Sequence, residues 1–295
     1  MRHLIAVRDL DGPLVDRLLE RVHQLIRRRN LHDDAGVGPF VTGLVFTEPS
    51  LRTRAGFAVA TARLGGSVVD VSELRHGPGM SQPEPLVDTI RVVTGMVDVA
   101  VVRSADLPKG QELLEVAACP VVNGGDASGN HPTQVIVDLV AMEEVGPIES
   151  LRVGVCGDVD GRVARSLLEL LAFRPPASIR LMFPEELGPP SVELPPSPVQ
   201  VCHRLDVRDL DVLYLCGLPA TVRGTAVDAV RRATFSLGSE QLGLMAENCI
   251  VLSPMPVIDE IDPGLRGDRR ITVFHQSDIG IPVRMAVLES SLGRL

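Results

Sequence analysis

The chain has 295 residues, 45% of them hydrophobic, and a formal net charge of −9. Its length predicts one large domain or two of ordinary size, and the acidic balance argues against binding a nucleic-acid backbone. No apolar run reaches the ~18 residues of a membrane-spanning helix, and the mixed start MRHLIAVRDLDGPLVDRLLE does not read as a signal peptide, so a cytoplasmic protein without membrane contact is expected.

Leu14, Leu18, Leu19, Val22 and Leu25 recur at helical spacing and predict an amphipathic helix over 13–29 with a basic last turn. The β-rich run 40–46 predicts a buried strand, and 50–64 a helix with Ser50 as its N-cap. A strand at 66–71 is followed by a Gly/Pro/Ser loop over 73–85. Next come a helix (85–96), a strand (98–103), a helix (110–117) and a strand (120–123). The glycine-rich loop GGDASGN leads into a helix over 132–145. After GPIES the pattern restarts with a strand (151–157), a helix (161–172) and a strand (178–183). The stretch PPSVELPPSPVQ reads as an extended surface connection. Strands at 211–216 and 250–254 and a helix over about 280–294 complete the chain. This alternation predicts an α/β fold with mostly parallel sheets flanked by helices. Two units, 1–147 and 148–279, are the simplest division.

Cys119, Cys156, Cys202, Cys216 and Cys249 show no C-x-x-C spacing and read as reduced thiols. Lys109 is the only lysine among abundant arginines. A missing lysine in a motif therefore has two explanations, compositional bias or lost function.

Three stretches carry candidate chemistry. In FTEPSLRTR (46–54) an apolar strand gives way to Ser50, Arg52, Thr53 and Arg54 at a helix start. Free N–H groups there favour an anion, two hydroxyls can donate, and an arginine can grip phosphate with two hydrogen bonds. The plainer reading is a serine cap and a solvated basic face. In GNHPTQ (129–134), Pro132 suits a first helical position. His131 and Gln134 then either open a helix or project into a cleft to polarise a carbonyl and hold an amide. Arg103 closes the strand DVAVVR, as an ion-paired residue or as a ligand. The third stretch, GVCGDVDGRVARSL (154–167), is strand, turn and helix, but Gly154, Gly157 and Gly161 do not make G-x-G-x-x-G. A tight turn is the bland reading and a dinucleotide loop the sharper one. Arg162 at the helix start is a candidate for an acceptor carboxylate.

Together these residues resemble the aspartate and ornithine carbamoyltransferases, the aspartate branch more closely. The family motif S-T-R-T-R stands here as Ser50-Leu51-Arg52-Thr53-Arg54, and H-P-T-Q is intact at 131–134. NGGDASGN, EPLVDTI, DVLYL, SPMPVIDEI and GIPVRMAVLESSL follow in the family's order over nearly the whole chain. The resemblance implies a carbamoyl phosphate domain over 1–147, an acceptor domain over 148–279, and a terminal helix, 280–295, packing back on the first. It implies a homotrimer that moves the carbamoyl group of carbamoyl phosphate to an amine or amino acid, with no metal or organic cofactor. Ser50, Arg52 and Thr53 would hold phosphate. Thr53, Arg103 and His131 would polarise the carbamoyl oxygen, and Gln134 would orient its amine. Arg162, the Met255 backbone and, as a substitute cation, Arg223 would serve the acceptor.

The chain departs from the family at defined places. Leu51 removes a hydroxyl. The loop serine and lysine become Pro78 and Gln82, with Arg75 or His76 as replacements for the charge. Gly217 and Pro219 stand where the aspartate branch has its acceptor arginine and glutamine, and Ser253 and Val257 replace a histidine and an arginine. The phosphate half is largely kept and the aspartate half largely dismantled. The expectation is a carbamoyltransferase whose acceptor is not L-aspartate, the alternative being a weakly active or inactive homologue with a structural or regulatory role.

Overall fold

The computed structural model describes residues 3–28, 38–72, 81–126, 129–188, 190–218 and 233–295. It divides into two compact units, Met1–Val137 with Ile279–Leu295, and Asp138–Asp278.

Helix α1 (Gly12–Arg27) starts because the Asp11 carboxylate accepts the Leu14 N–H at 2.8 Å. Its five leucine and valine positions expected in the core are all buried. Strands β1 (Val41–Phe46), β2 (Ser67–Asp70), β3 (Val99–Arg103) and β4 (Val121–Asn123) form one sheet in the order β2-β1-β3-β4. All pairs are parallel. Helices α2 (Leu51–Arg63), α3 (Leu86–Thr94) and α4 (Gln111–Val116) make the crossovers. Every residue of β3 is buried. A strand covered on both faces has no reason to alternate. Parallel pairing also brings the ends of β1, β3 and β4, at Phe46, Arg103 and Asn123, to one edge, the edge where ligands of such sheets bind. Helix α5 (Pro132–Glu143) follows.

The second unit repeats the plan. Its strands are β5 (Arg152–Gly157), β6 (Ser178–Met182), β7 (Val199–Cys202), β8 (Val212–Gly217) and β9 (Ile250–Leu252). They are ordered β7-β6-β5-β8-β9, all parallel. Helix α6 (Arg162–Phe173) follows β5, α7 (Ser239–Leu244) precedes β9, and α8 (Val273–Ser291) ends the fold. Asp138 is fully buried and accepts the Tyr214 hydroxyl at 2.8 Å and Gln276 Nε2 at 2.6 Å, while Gln276 Oε1 takes the Ser253 N–H at 2.8 Å. The network satisfies polar groups that burial would otherwise penalise.

Two sequence expectations are corrected here. The proline-rich connection ends in an edge strand, β7, because parallel pairing with β6 supplies order its own proline-rich composition does not. The last helix starts at Val273 and carries Pro282 inside it. The Gly-Ile-Pro sequence reads as a helix start, but the turn before it is secured by the Gln276 side chain. The far end of α8 belongs to the first unit, where Arg21 clamps Glu289 through Nε and Nη2, both at 2.7 Å. No described helix is long and apolar enough to cross a membrane.

Acid should weaken the second unit in a defined window. Side-chain hydrogen bonds from Arg152, Arg208 and Arg270 hold the carboxyls of Asp211, Asp206 and Asp268 below the ordinary carboxylate range, Asp268 at about 2. A carboxyl depressed in the folded state contributes its stability above the unfolded pKa of about 3.9 and loses it as pH falls through the folded value. The urea midpoint should therefore be flat above about pH 5 and decline from about pH 4 toward 2. Replacing Asp211 and Asp268 together by asparagine should flatten that decline, and an unchanged acid limb would refute the assignment.

Candidate active site

The first candidate stretch lies where expected, at the start of α2. Ser50 is the N-cap residue, with an extended backbone (φ −156°, ψ 95°), yet its hydroxyl makes no capping bond. The plain cap role therefore does not hold, and the first-turn N–H groups keep their partial positive charge. Thr53 turns inward and is 4% exposed, whereas Leu51 is 81% exposed. Burial depresses the Arg52 guanidinium pKa. Arg54 serves structure instead, pairing with Asp70 at 2.6 Å.

Arg103 ends β3 in register with Phe46 of β1. It is buried, donates from Nη1 to the Gly124 carbonyl at 3.0 Å, and has its Nε 3.6 Å from the Glu48 carboxylate. The turn after β4 brings the other groups to it. Gly125 has φ 105°, a conformation glycine alone adopts readily, and its N–H donates to Asn123 Oδ1 at 2.8 Å. A Cβ on Gly125 would lie 2.6 Å from Arg103 Nη1 and 3.1 Å from His131 Nε2. A Cβ on Gly124 would lie 3.4 Å from Thr53 Cγ2. The glycine pair thus lets Thr53, Arg103 and His131 close around one turn.

That turn is fastened from behind. Asn123 Nδ2 reaches the Ile5 carbonyl at 2.8 Å and Asp126 Oδ2 at 3.0 Å. Asp126 Oδ1 accepts the Asn130 N–H at 3.0 Å, and Lys109 Nζ stands 3.2 Å from Asp126 Oδ2.

His131 occupies the N-cap position of α5, its carbonyl accepting the Gln134 and Val135 N–H groups at 3.0 and 3.3 Å. The helix-opening reading is therefore correct, and it coexists with a ring aimed at the turn. His131 is 6% exposed, and its Nδ1 is 3.3 Å from the Thr133 hydroxyl. Its Nε2 is the ring nitrogen facing Gly125. Gln134 is half-buried one turn of chain away. A guanidinium, an imidazole and a hydroxyl beside a helix N-terminus form a donor set for an oxyanion.

The acceptor candidates are in the second unit. Arg162 is the first residue of α6, after Gly161, whose N–H donates to the Asp158 backbone carbonyl at 3.0 Å, and burial pushes the Asp158 carboxyl above its usual pKa. Met255 is half-buried with φ 56°, and its N–H reaches Ser253 Oγ at 3.3 Å. Arg223 lies outside the described residues, as do Arg75, His76, Pro78 and Pro219. The glycines of GVCGDVDG have a local reason. Gly157 (φ 113°) and Gly217 (φ 71°) bring the ends of β5 and β8 together, and the Asp158 N–H bonds the Gly217 carbonyl at 2.6 Å.

Sequence reasoning missed Glu48, Asn123 and Asp126 as supports. The available signal was a Gly-Gly pair flanked by Asn and Asp, the residues that stabilise a turn through their own side chains.

Residues 2–144 match the family model described as aspartate/ornithine carbamoyltransferase, carbamoyl-P binding domain. A protein of Methanosphaerula palustris named aspartate carbamoyltransferase catalytic subunit is 34% identical over 298 residues, spanning 98% of this chain and 99% of the relative. One of the same name from Methanococcus vannielii is 33% identical, spanning 98% and 97%. The catalytic subunit of M. jannaschii aspartate transcarbamoylase matches in structure with a TM-score of 0.84 at 27% identity, over 100% of both chains. Aspartate transcarbamoylase from Trypanosoma cruzi, in complex with carbamoyl aspartate and phosphate, gives a TM-score of 0.83 at 26% identity, over 98% of this chain and 95% of that one. On its motifs, its fold and these relatives, the chain belongs to the aspartate/ornithine carbamoyltransferase family.

Proposed function

We propose that this protein transfers the carbamoyl group of carbamoyl phosphate to an amine other than L-aspartate. The observation that carries the transfer is the closure of Thr53, Arg103 and His131 around the Gly124–Gly125 turn. Ser50, Arg52, Thr53 and the α2 N–H groups hold the phosphate. Thr53, Arg103 and His131 donate to the carbamoyl oxygen as the attacking amine makes it an oxyanion, and phosphate leaves with the electrons of the broken C–O bond. Gln134 orients the carbamoyl amine. Fixed donors lower the barrier because they need no reorganisation when the charge appears, and alignment of the two reactants supplies much of the rest.

The changed acceptor rests on the second unit. Arg162 remains to take a carboxylate, with the Met255 backbone and Arg223 as further contacts. Glycine at 217, serine at 253 and valine at 257 supply no cation. A pocket built to pair a charged group loses orders of magnitude of discrimination when the partner is removed. L-Aspartate is the second reading, because the relatives compared above are named for aspartate. Those names also say catalytic subunit, which gives a non-catalytic role no support. A homotrimer belongs to the same proposal, with sedimentation as its test.

Calorimetric titration with carbamoyl phosphate, followed by phosphate release over a panel of amines, tests this reading. Saturable binding and turnover of a non-aspartate amine support it. Absence of binding at millimolar ligand refutes the transfer, and turnover of L-aspartate alone refutes the changed acceptor. Restoring a hydroxyl with Leu51→Thr should lower the KM for carbamoyl phosphate about two- to tenfold, the worth of one hydrogen bond. Because Leu51 is exposed, the melting temperature should hardly move.

A further inference from the structure

Arg284, on α8, is 6% exposed, and its Nε is buried without a hydrogen-bond partner. Among the described residues it has no carboxylate pair. Its surroundings are instead apolar and cationic. The guanidinium carbon lies 5.7 Å from the centre of the fully buried Phe57 ring. A Cβ on Gly56 would come within 2.9 Å of that carbon and of Nε, and a Cβ on Gly280 would collide with Nη1. The group is thus wedged between the second turn of α2 and the preceding turn of α8, in space two glycines leave open. Arg52, four residues before Gly56, is therefore on the same face of α2. Burial, reinforced by repulsion from Arg52, pulls the Arg284 pKa down to about 10.

A buried ion without its partner is costly to keep. Here the cost falls beside the helix N-terminus that already gathers positive charge. An oxyanion there would meet the α2 N–H groups and the field of the buried Arg284 guanidinium together. We propose that Arg284 is a positioning residue of the phosphate site, a buried cation that the phosphate bound at the α2 N-terminus neutralises. The inference rests on the phosphate site proposed above and adds a residue outside both motifs. It makes binding and stability linked. Without ligand the Arg284 charge is a burden, and with phosphate at the α2 N-terminus that charge is answered.

Arg284→Met and Arg284→Lys test this against wild type, with inorganic phosphate and carbamoyl phosphate as probes. Each protein is titrated calorimetrically, and its urea midpoint is measured with and without phosphate. Arg284→Met should unfold at the same or a higher urea concentration than wild type when unliganded. Its phosphate affinity should drop about tenfold or more, its phosphate-induced stabilisation should shrink, and its KM for carbamoyl phosphate should rise more than its kcat falls. Arg284→Lys should recover most of the affinity. Unchanged phosphate affinity in Arg284→Met overturns the proposal and leaves the phosphate site standing. A destabilised Arg284→Met whose affinity loss Arg284→Lys does not recover also overturns it, since that marks a packing role. Wild type that binds neither probe overturns both readings.

Discussion

Replacing Arg103 by alanine should slow carbamoyl transfer by about 10²–10³-fold, the effect of deleting one preorganised oxyanion donor. The side chain is a good candidate for so large an effect because little of its geometry is left to chance. It ends a fully buried strand, one nitrogen is tied to the Gly124 carbonyl, and its Nε lies 3.6 Å from Glu48. A guanidinium held in this way pays no ordering cost when negative charge develops beside it. The side chain is buried and its loss leaves the Gly124 carbonyl without that donor, so stability should also drop, by about 1–3 kcal/mol. Steady-state phosphate release and a thermal melt separate the two effects. Activity within about threefold of the parent would remove Arg103 from the oxyanion role, since even a weak donor contributes more.

Gly157→Ala should destabilise the second unit by about 3 kcal/mol. The left-handed backbone costs an alanine roughly 1–2 kcal/mol, and forcing a methyl into filled space adds about 1–3 kcal/mol. Gly157 has φ 113°, and its Cβ would run into the Gly217 carbonyl. That obstacle is backbone, fixed by the Asp158 N–H bond at 2.6 Å and by the pairing of β5 with β8, so no side chain can swing aside. Urea unfolding followed by the fluorescence of Tyr214, the single tyrosine in a chain with no tryptophan, reads the unit directly. A midpoint equal to the parent's would mean that the two strand ends move apart at little cost.

Much of the architecture is legible in the sequence. Strand and helix alternate cleanly, and covered strands such as VAVVR announce themselves as unbroken apolar runs. Amphipathic spacing placed the buried face of α1 correctly. What misled was local chemistry overruled at long range. The end of a proline-rich stretch became β7 because a neighbouring strand offered hydrogen bonds, and α8 starts ahead of Pro282, at Val273, in a turn where Gln276 is anchored to Asp138, 138 residues away in sequence.

The site divides in the same way. Residue type and short spacing were enough to nominate Ser50, Arg52, Thr53, His131 and Gln134, because phosphate and carbonyl recognition need cations, hydroxyls and N–H groups at helix starts. Placement nominated Arg103, at the carboxyl end of a strand, and Arg162, at a helix start, and the family resemblance gave Arg103 its role. The sequence could not say that Gly124 and Gly125 are the space into which Thr53, Arg103 and His131 close, that Glu48 flanks the arginine, or that the Ser50 hydroxyl is left out of the helix cap. Nor could it mark Arg284, which lies in an apolar-looking helix some 230 residues beyond the motif it adjoins. Composition and periodicity report what each residue can do and which face it shows. Whether a charge is buried, and what answers it, depends on neighbours that only the folded chain brings into contact.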